Sequence, residues 1–148
     1  MLRRALMAAA CSAALITTAA CNRADDAPAN TGGVQTAAAP LAVDEIRIGN
    51  AIGADRRVTN ETDDFRPTET IYASVRTTGT AQNASLVARW TYQDGQVVNE
   101  ETQTIAPSGS EVTEFHISNP SGWPTGDYKL TVLLDGREVG SKDFDVEN

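Results

Sequence analysis

The chain has 148 residues, 41% of them hydrophobic but only 5% aromatic, and a formal net charge of −8. That length allows one domain of ordinary size, or a smaller domain with appendages. The acidic balance argues against a nucleic-acid ligand, which needs clustered Lys and Arg to displace counterions, and against electrostatic adhesion to an anionic membrane.

Those averages cover two unlike segments. Of the 22 alanines, 15 fall in positions 1–42, whereas all eight aromatic residues lie beyond position 64. An Ala-rich stretch without aromatics has little bulky apolar surface to bury. The folded unit is therefore expected to begin near Leu41, giving one domain over 42–148.

Arg3 and Arg4 form a short basic region, after which the 16 residues Ala5 to Ala20 carry no charge. That run is shorter than the roughly 20 residues a membrane-spanning helix needs. It ends in the small residues Thr18, Ala19 and Ala20, the pattern of a cleaved secretory signal peptide over 1–20.

The segment Leu15-Ile16-Thr17-Thr18-Ala19-Ala20-Cys21 resembles the lipobox of bacterial lipoprotein precursors. The resemblance covers this segment alone and departs from the family at Thr18, where Leu is usual. It implies lipid on the Cys21 thiol, cleavage just before it, and, with Asn22 rather than Asp following, sorting to the outer membrane. Cys11 would leave with the signal peptide, so Cys21 would be the sole mature thiol. An unpaired exported Cys needs a use, and several acyl chains on one residue hold a protein where a single chain binds only marginally. Plain secretion, with cleavage at the same Thr-Ala-Ala site and a soluble periplasmic or secreted product, is the alternative. Loss of Arg3 and Arg4 from the 12 basic residues would leave 10 against 20 acidic ones, a net charge of −10.

From 21 to 41 the chain is small and polar, punctuated by Pro28 and Pro40, and is expected to be a disordered linker. Its typical span is ~25 Å and its extended limit ~65 Å.

Beyond it the apolar period becomes two. Ile46 and Ile48 mark a first strand near 43–50; Ile71, Ala73 and Val75 mark a second. Leu86, Ala88, Trp90 and Tyr92 share one face of a third. It runs into Asp94-Gly95, a dipeptide suited to a type I′ hairpin turn because both central residues need positive φ. Residues 96–104 form the return, placed at a sheet edge. Phe115 and Ile117 define a fifth strand, and Tyr128, Leu130, Val132 and Leu134 a sixth. Asp135-Gly136 then turns into the last, carrying Val139, Phe144 and Val146. The change of parity between Val139 and Phe144 predicts a bulge near Gly140. No segment carries a helical stripe. The expected fold is all-β, a single antiparallel two-sheet sandwich of about seven strands.

Trp90 midway along the third strand, and Gly126 and Tyr128 opening the penultimate strand behind Trp123-Pro124, resemble immunoglobulin-like and fibronectin-III-like domains. The resemblance implies a buried Trp90 and a tyrosine corner at Tyr128. The disulfide of antibody domains is absent.

Chemistry-bearing patterns are few. No GxSxG, HExxH, P-loop or GxGxxG occurs, and no cofactor is implied. His116, the only histidine, alternates with Phe115 and Ile117 and is expected on a solvated strand face beside Glu114. With at most one His and one Cys in the mature chain, zinc is disfavoured. The charged stretch 55–64 offers oxygen donors for calcium at Asp55, Asn60, Glu61, Asp63 and Asp64. Arg56 and Arg57 offset that charge, and no Asp-x-Asp-x-Asp-Gly period is present, so a solvated loop is expected. Trp123, in a turn-rich loop, either anchors a partner or plugs the sandwich above Tyr128. The expectation is a non-enzymatic cell-envelope lipoprotein, held in the membrane through Cys21, displaying a binding or accessory domain to an envelope protein or polymer. The alternative is a periplasmic ligand-binding or inhibitor-like module acting on an extracytoplasmic enzyme through its loops.

Overall fold

Alternating apolar and polar side chains organise the chain into nine strands in the computed structural model, which describes residues 38–148. The expected signal peptide, Cys21 and nearly all of the linker lie outside the described residues. The strands are β1 (Ala42–Ile52), β2 (Val58–Glu61), β3 (Asp64–Phe65), β4 (Ile71–Thr78), β5 (Ala84–Tyr92), β6 (Gln96–Ile105), β7 (Glu111–Ile117), β8 (Gly126–Leu134) and β9 (Arg137–Val146). One sheet has the order β2-β1-β4-β7 and the other β3-β9-β8-β5-β6. All pairs are antiparallel except β3 with β9.

The inner faces meet as alternation requires. Ile71, Ala73, Val75, Phe115 and Ile117 of one sheet face Leu86, Ala88, Trp90, Leu130, Val132, Phe144 and Val146 of the other, all buried. Trp90 is fully buried and meets Phe144 edge-on at 5.8 Å. β6 stands at the sheet edge, as its polar pattern predicts.

Seven long strands occupy the expected positions. The other two are short and come from the stretch expected to be a loop. One apolar residue accounts for each. Val58 folds over the outer face of its sheet and donates its N–H to Ser74 Oγ (3.3 Å), burying both residues. Phe65 enters the core and meets Phe144 edge-on at 5.5 Å.

The two Asp-Gly dipeptides behave differently. Asp135 (φ 50°) and Gly136 (φ 78°) join Leu134 directly to Arg137, both with the positive φ that a type I′ turn requires. The type I′ turn expected at Asp94-Gly95 does not form. There the loop has three residues, with positive φ at Gln93 (44°) and Gly95 (93°) but not at Asp94. Tyr92 pairs with Gln96, which adds Gln93 to the loop and moves the left-handed position one residue upstream. The bulge predicted near Gly140 falls on Val139, skipped between the Val132–Gly140 and Leu133–Glu138 pairs.

Strand direction sorts the connections between two ends. Ala42 pairs with Thr78, and Pro40 bridges Thr80, which bridges Ser108. The chain therefore enters at the end holding loops 79–83, 106–110 and 135–136. Loops 53–57, 66–70, 93–95 and 118–125 lie at the opposite end, with the C-terminal residues.

Candidate functional site

The end remote from the chain's entrance gathers most of the side chains singled out in the sequence. Within 118–125, Asn119 closes a tight turn: its side-chain Nδ2 donates to Gly122 O (2.7 Å), and its Oδ1 accepts from Ser121 N (3.0 Å). Trp123 N then donates to Pro67 O (2.8 Å), fastening this loop to loop 66–70. Tyr128 donates its hydroxyl to Pro124 O (2.8 Å), the contact implied by the tyrosine-corner resemblance. Tyr92 donates to Thr125 O (3.0 Å) and accepts from Gln93 Nε2 (2.9 Å).

Trp123 is half-buried, packed against the core with its ring edge-on to Tyr128 at 6.4 Å. Its Nε1 is shielded from solvent without a hydrogen-bond acceptor. The indole thus closes the end of the sandwich and shows only part of its surface. At the same end of the sandwich, a polar depression of about 440 Å³ is lined by Asn50, Asp64, Phe65, Arg66, Glu69, Glu147 and Asn148. Glu69 is already engaged there, accepting from Arg66 N (2.8 Å) and Asn50 Nδ2 (3.4 Å).

The calcium candidates are dispersed. Asp55 sits in loop 53–57 with its carboxylate 3.5 Å from Arg57 Nε. Glu61 on β2 faces Arg47 at 3.7 Å, and Asn60 hydrogen-bonds Asn50 (2.6 Å). Asp63 offers its backbone carbonyl to Asp145 N (2.8 Å), and Asp64 lies on β3. Among the described residues no three His, Cys, Asp or Glu side chains converge as metal ligands. His116 stands exposed on the outer face of β7, its Nδ1 2.8 Å from Glu114 Oε1 and its ring 5.7 Å from Tyr72.

Strand register assembles one feature that spacing along the chain conceals. Asp64, Asp145 and Asp127 stand side by side across β3, β9 and β8. The Asp145 carboxyl is held above the ordinary carboxylate range, chiefly by its hydrogen bond with Asp127, then by partial desolvation and the charges of Asp127, Asp64 and Glu147. The opposite shift occurs at Glu45, held below that range by its hydrogen bond from Arg47. Only pairing between distant strands could have revealed the aspartate row.

No protein-family model matches the chain, and no curated protein matches it in sequence. Among solved structures, an immunoglobulin-like protein from Pseudomonas aeruginosa superposes with a TM-score of 0.50 at 17% identity, over 75% of this chain and 99% of that one. A CARDB domain from Pyrococcus furiosus, solved with di-metal ions, matches with a TM-score of 0.43 at 13% identity, over 73% of this chain and 86% of that one. Part of an alkylpurine DNA glycosylase from Pseudomonas fluorescens also matches, with a TM-score of 0.49 at 16% identity, over 73% of this chain but 30% of that one. Likeness at such identities concerns the fold alone. The described residues form an immunoglobulin-like β-sandwich, with Trp90 in its core and a tyrosine corner at Tyr128.

Proposed function

We propose that the chain is a non-enzymatic cell-envelope lipoprotein, anchored through Cys21, that presents its immunoglobulin-like domain as a binding or accessory module. The observation that carries this reading is polarity within the sandwich. The chain enters beside Thr80 and Ser108, while the Trp123 loop, loops 53–57 and 66–70 and the C-terminus occupy the far end. An anchor on the entering segment would tether the domain by its near end and leave the far-end loops clear of the tether. Absence of catalysis is part of the proposal and rests on the motif-poor sequence and the solvated setting of His116.

The lipid anchor is tested by Cys21→Ala in cells, followed by fractionation and mass measurement. The expected outcome is release from the membrane pellet and loss of the acyl mass. Unchanged partitioning with unchanged mass sinks the anchor. The binding role is tested by affinity capture from solubilised envelopes with wild-type protein and with a variant altered in loop 118–125. A partner captured by the first and lost with the second is the expected result; capture indifferent to the loop would remove the far end as the binding surface.

A further inference from the structure

A cavity of about 80 Å³ opens on the outer face of the β2-β1-β4-β7 sheet, where Val58 folds over Ser74. Its wall carries Arg47, Arg57, Arg76, Glu45 and Ser74. The wall holds three cations and one anion, and Asp44, Asp55 and Glu61 stand within 4.0 Å of the same arginines, so the cluster as a whole has four carboxylates against three guanidinium groups.

The three guanidinium groups are not equivalent. Arg47 is satisfied by Glu45 at 2.7 Å. Arg57 reaches Asp55 only at 3.5 Å, and Arg76 Nε stands 3.9 Å from Glu45 and 4.0 Å from Asp44, beyond hydrogen-bond reach. That Nε is shielded from solvent and has no acceptor. The Arg76 side chain as a whole is 37% exposed, so only this Nε is cut off from water, and a shielded donor of this kind needs a partner. Ser74 Oγ accepts from Val58 N, so its hydroxyl hydrogen remains free to donate. The loop before β2 adds to the pattern. Arg56 holds a left-handed φ of 62°, unusual for a residue other than Gly, Asn or Asp, and hydrogen bonds between Gly53 and both Arg56 and Arg57 close the turn. Arg57 is thereby returned to the cavity wall. Strain of this kind gathers where the chain must place a particular side chain.

We propose that this cavity binds the phosphate or sulfate group of a small ligand. Guanidinium forks match the oxygens of such groups, and Arg76 Nε, the loosely held Arg57 and the free Ser74 hydroxyl hydrogen are donors that no carboxylate holds closely. The volume admits a group of a few heavy atoms, given about 30 Å³ per molecule in liquid water. Any larger part of the ligand would lie outside, over the sheet. Asp44, Asp55 and Glu61 do not line the cavity but stand 3.5–4.0 Å from the arginines, so an entering anion competes with them for the guanidinium donors.

The test is thermal melting of the full-length protein in detergent micelles, titrated with inorganic phosphate, sulfate, glycerol phosphate or sodium chloride at matched ionic strength. Phosphate and sulfate stabilise most proteins through exclusion from the surface, so the deciding readout is the difference between wild type and the Arg76→Gln and Arg57→Ala variants. Expected is a saturable rise in Tm for the wild type, with a half-effect about tenfold weaker in each variant. A rise with inorganic phosphate alone assigns a free ion, and one with glycerol phosphate as well assigns a phosphomonoester; both support the site. A wild-type response that does not saturate, or that equals the variants', overturns it. If Arg76→Gln does not fold, Arg57→Ala, on an exposed loop, decides.

Discussion

The hydroxyl of Tyr128 donates to the carbonyl of Pro124 across 2.8 Å, tying the start of β8 to the loop before it. The same ring stacks on Phe144 at 5.2 Å and takes Trp123 edge-on, so one side chain joins β8, β9 and loop 118–125. Tyr128→Phe keeps the stacking and removes the donor. It should cost about 1 kcal/mol, whereas Tyr128→Ala, which also empties core volume, should cost about 3–5 kcal/mol by analogy with buried Phe. Denaturant unfolding of the two variants separates the contributions. Equal losses would mean that the hydrogen bond, not the ring, carries the corner.

Two glycines with crowded surroundings should respond unequally. A Cβ on Gly49 would lie 2.1 Å from Asn60 O, which belongs to the backbone of the neighbouring strand β2. A Cβ on Gly140 would meet only the terminal Cδ1 of Ile46, at 2.7 Å. Backbone cannot retreat without breaking strand pairing, but an Ile side chain can rotate. Gly49→Ala should therefore destabilise by about 2–4 kcal/mol and loosen β2, while Gly140→Ala should stay within about 1 kcal/mol. Amide exchange at residues 58–61 checks the first effect, and thermal melting compares both.

The aspartate row makes a prediction about pH. Asp145 binds its proton more tightly in the folded state than in the unfolded chain, owing first to the hydrogen bond with Asp127. The folded state therefore holds more protons between the ordinary carboxylate value and the raised one, and stability contributed by this group falls as pH rises through that window. Glu45 acts oppositely: its proton is held more weakly in the folded state, so its contribution falls as pH drops below the ordinary range. Asp145→Asn isolates the contribution of Asp145. The variant should melt above wild type at pH 7, with the difference shrinking as pH falls through the window and as salt screens the exposed row. A variant less stable than wild type at neutral pH would contradict this assignment.

Calcium should leave stability unchanged. Asp55 and Glu61 face arginines, while Asp63 and Asp64 border β9 in the other sheet, so no compact set of oxygens forms. Melting with millimolar calcium and with a chelator should give coincident curves. A calcium-dependent rise in Tm would show that the loop rearranges to gather them.

Strand existence and strand face were legible because alternation is a local property. Trp90, Leu86 and Ala88 point inward for the same reason that Val87, Arg89 and Thr91 do not. The tyrosine corner was implied by the resemblance to immunoglobulin-like domains, and its partner, the carbonyl of Pro124, was supplied by the structure. Even the bulge at Val139 left a trace in parity. β2 and β3 were not legible. Each is too short to show a period, and each depends on one apolar residue finding a site on distant strands. The half-burial of Trp123 likewise rests on Pro67, Tyr128 and the loop they close.

By itself, the amino-acid sequence determined an all-β domain, the positions of its seven long strands and the inward face of most of them. These follow from period, turn chemistry and the placement of aromatics, which act over a few neighbouring residues. Only the tertiary structure decided that Asp64 stands beside Asp145 and Asp127, and that Arg57 and Arg76 share one cavity with Ser74. Asp64 and Asp145 are 81 positions apart, Asp127 and Asp145 18, and Arg57 and Arg76 19, and strand register and sheet order bring each pair together. Register is selected by the packing of whole apolar faces, and no single segment of the chain carries that information.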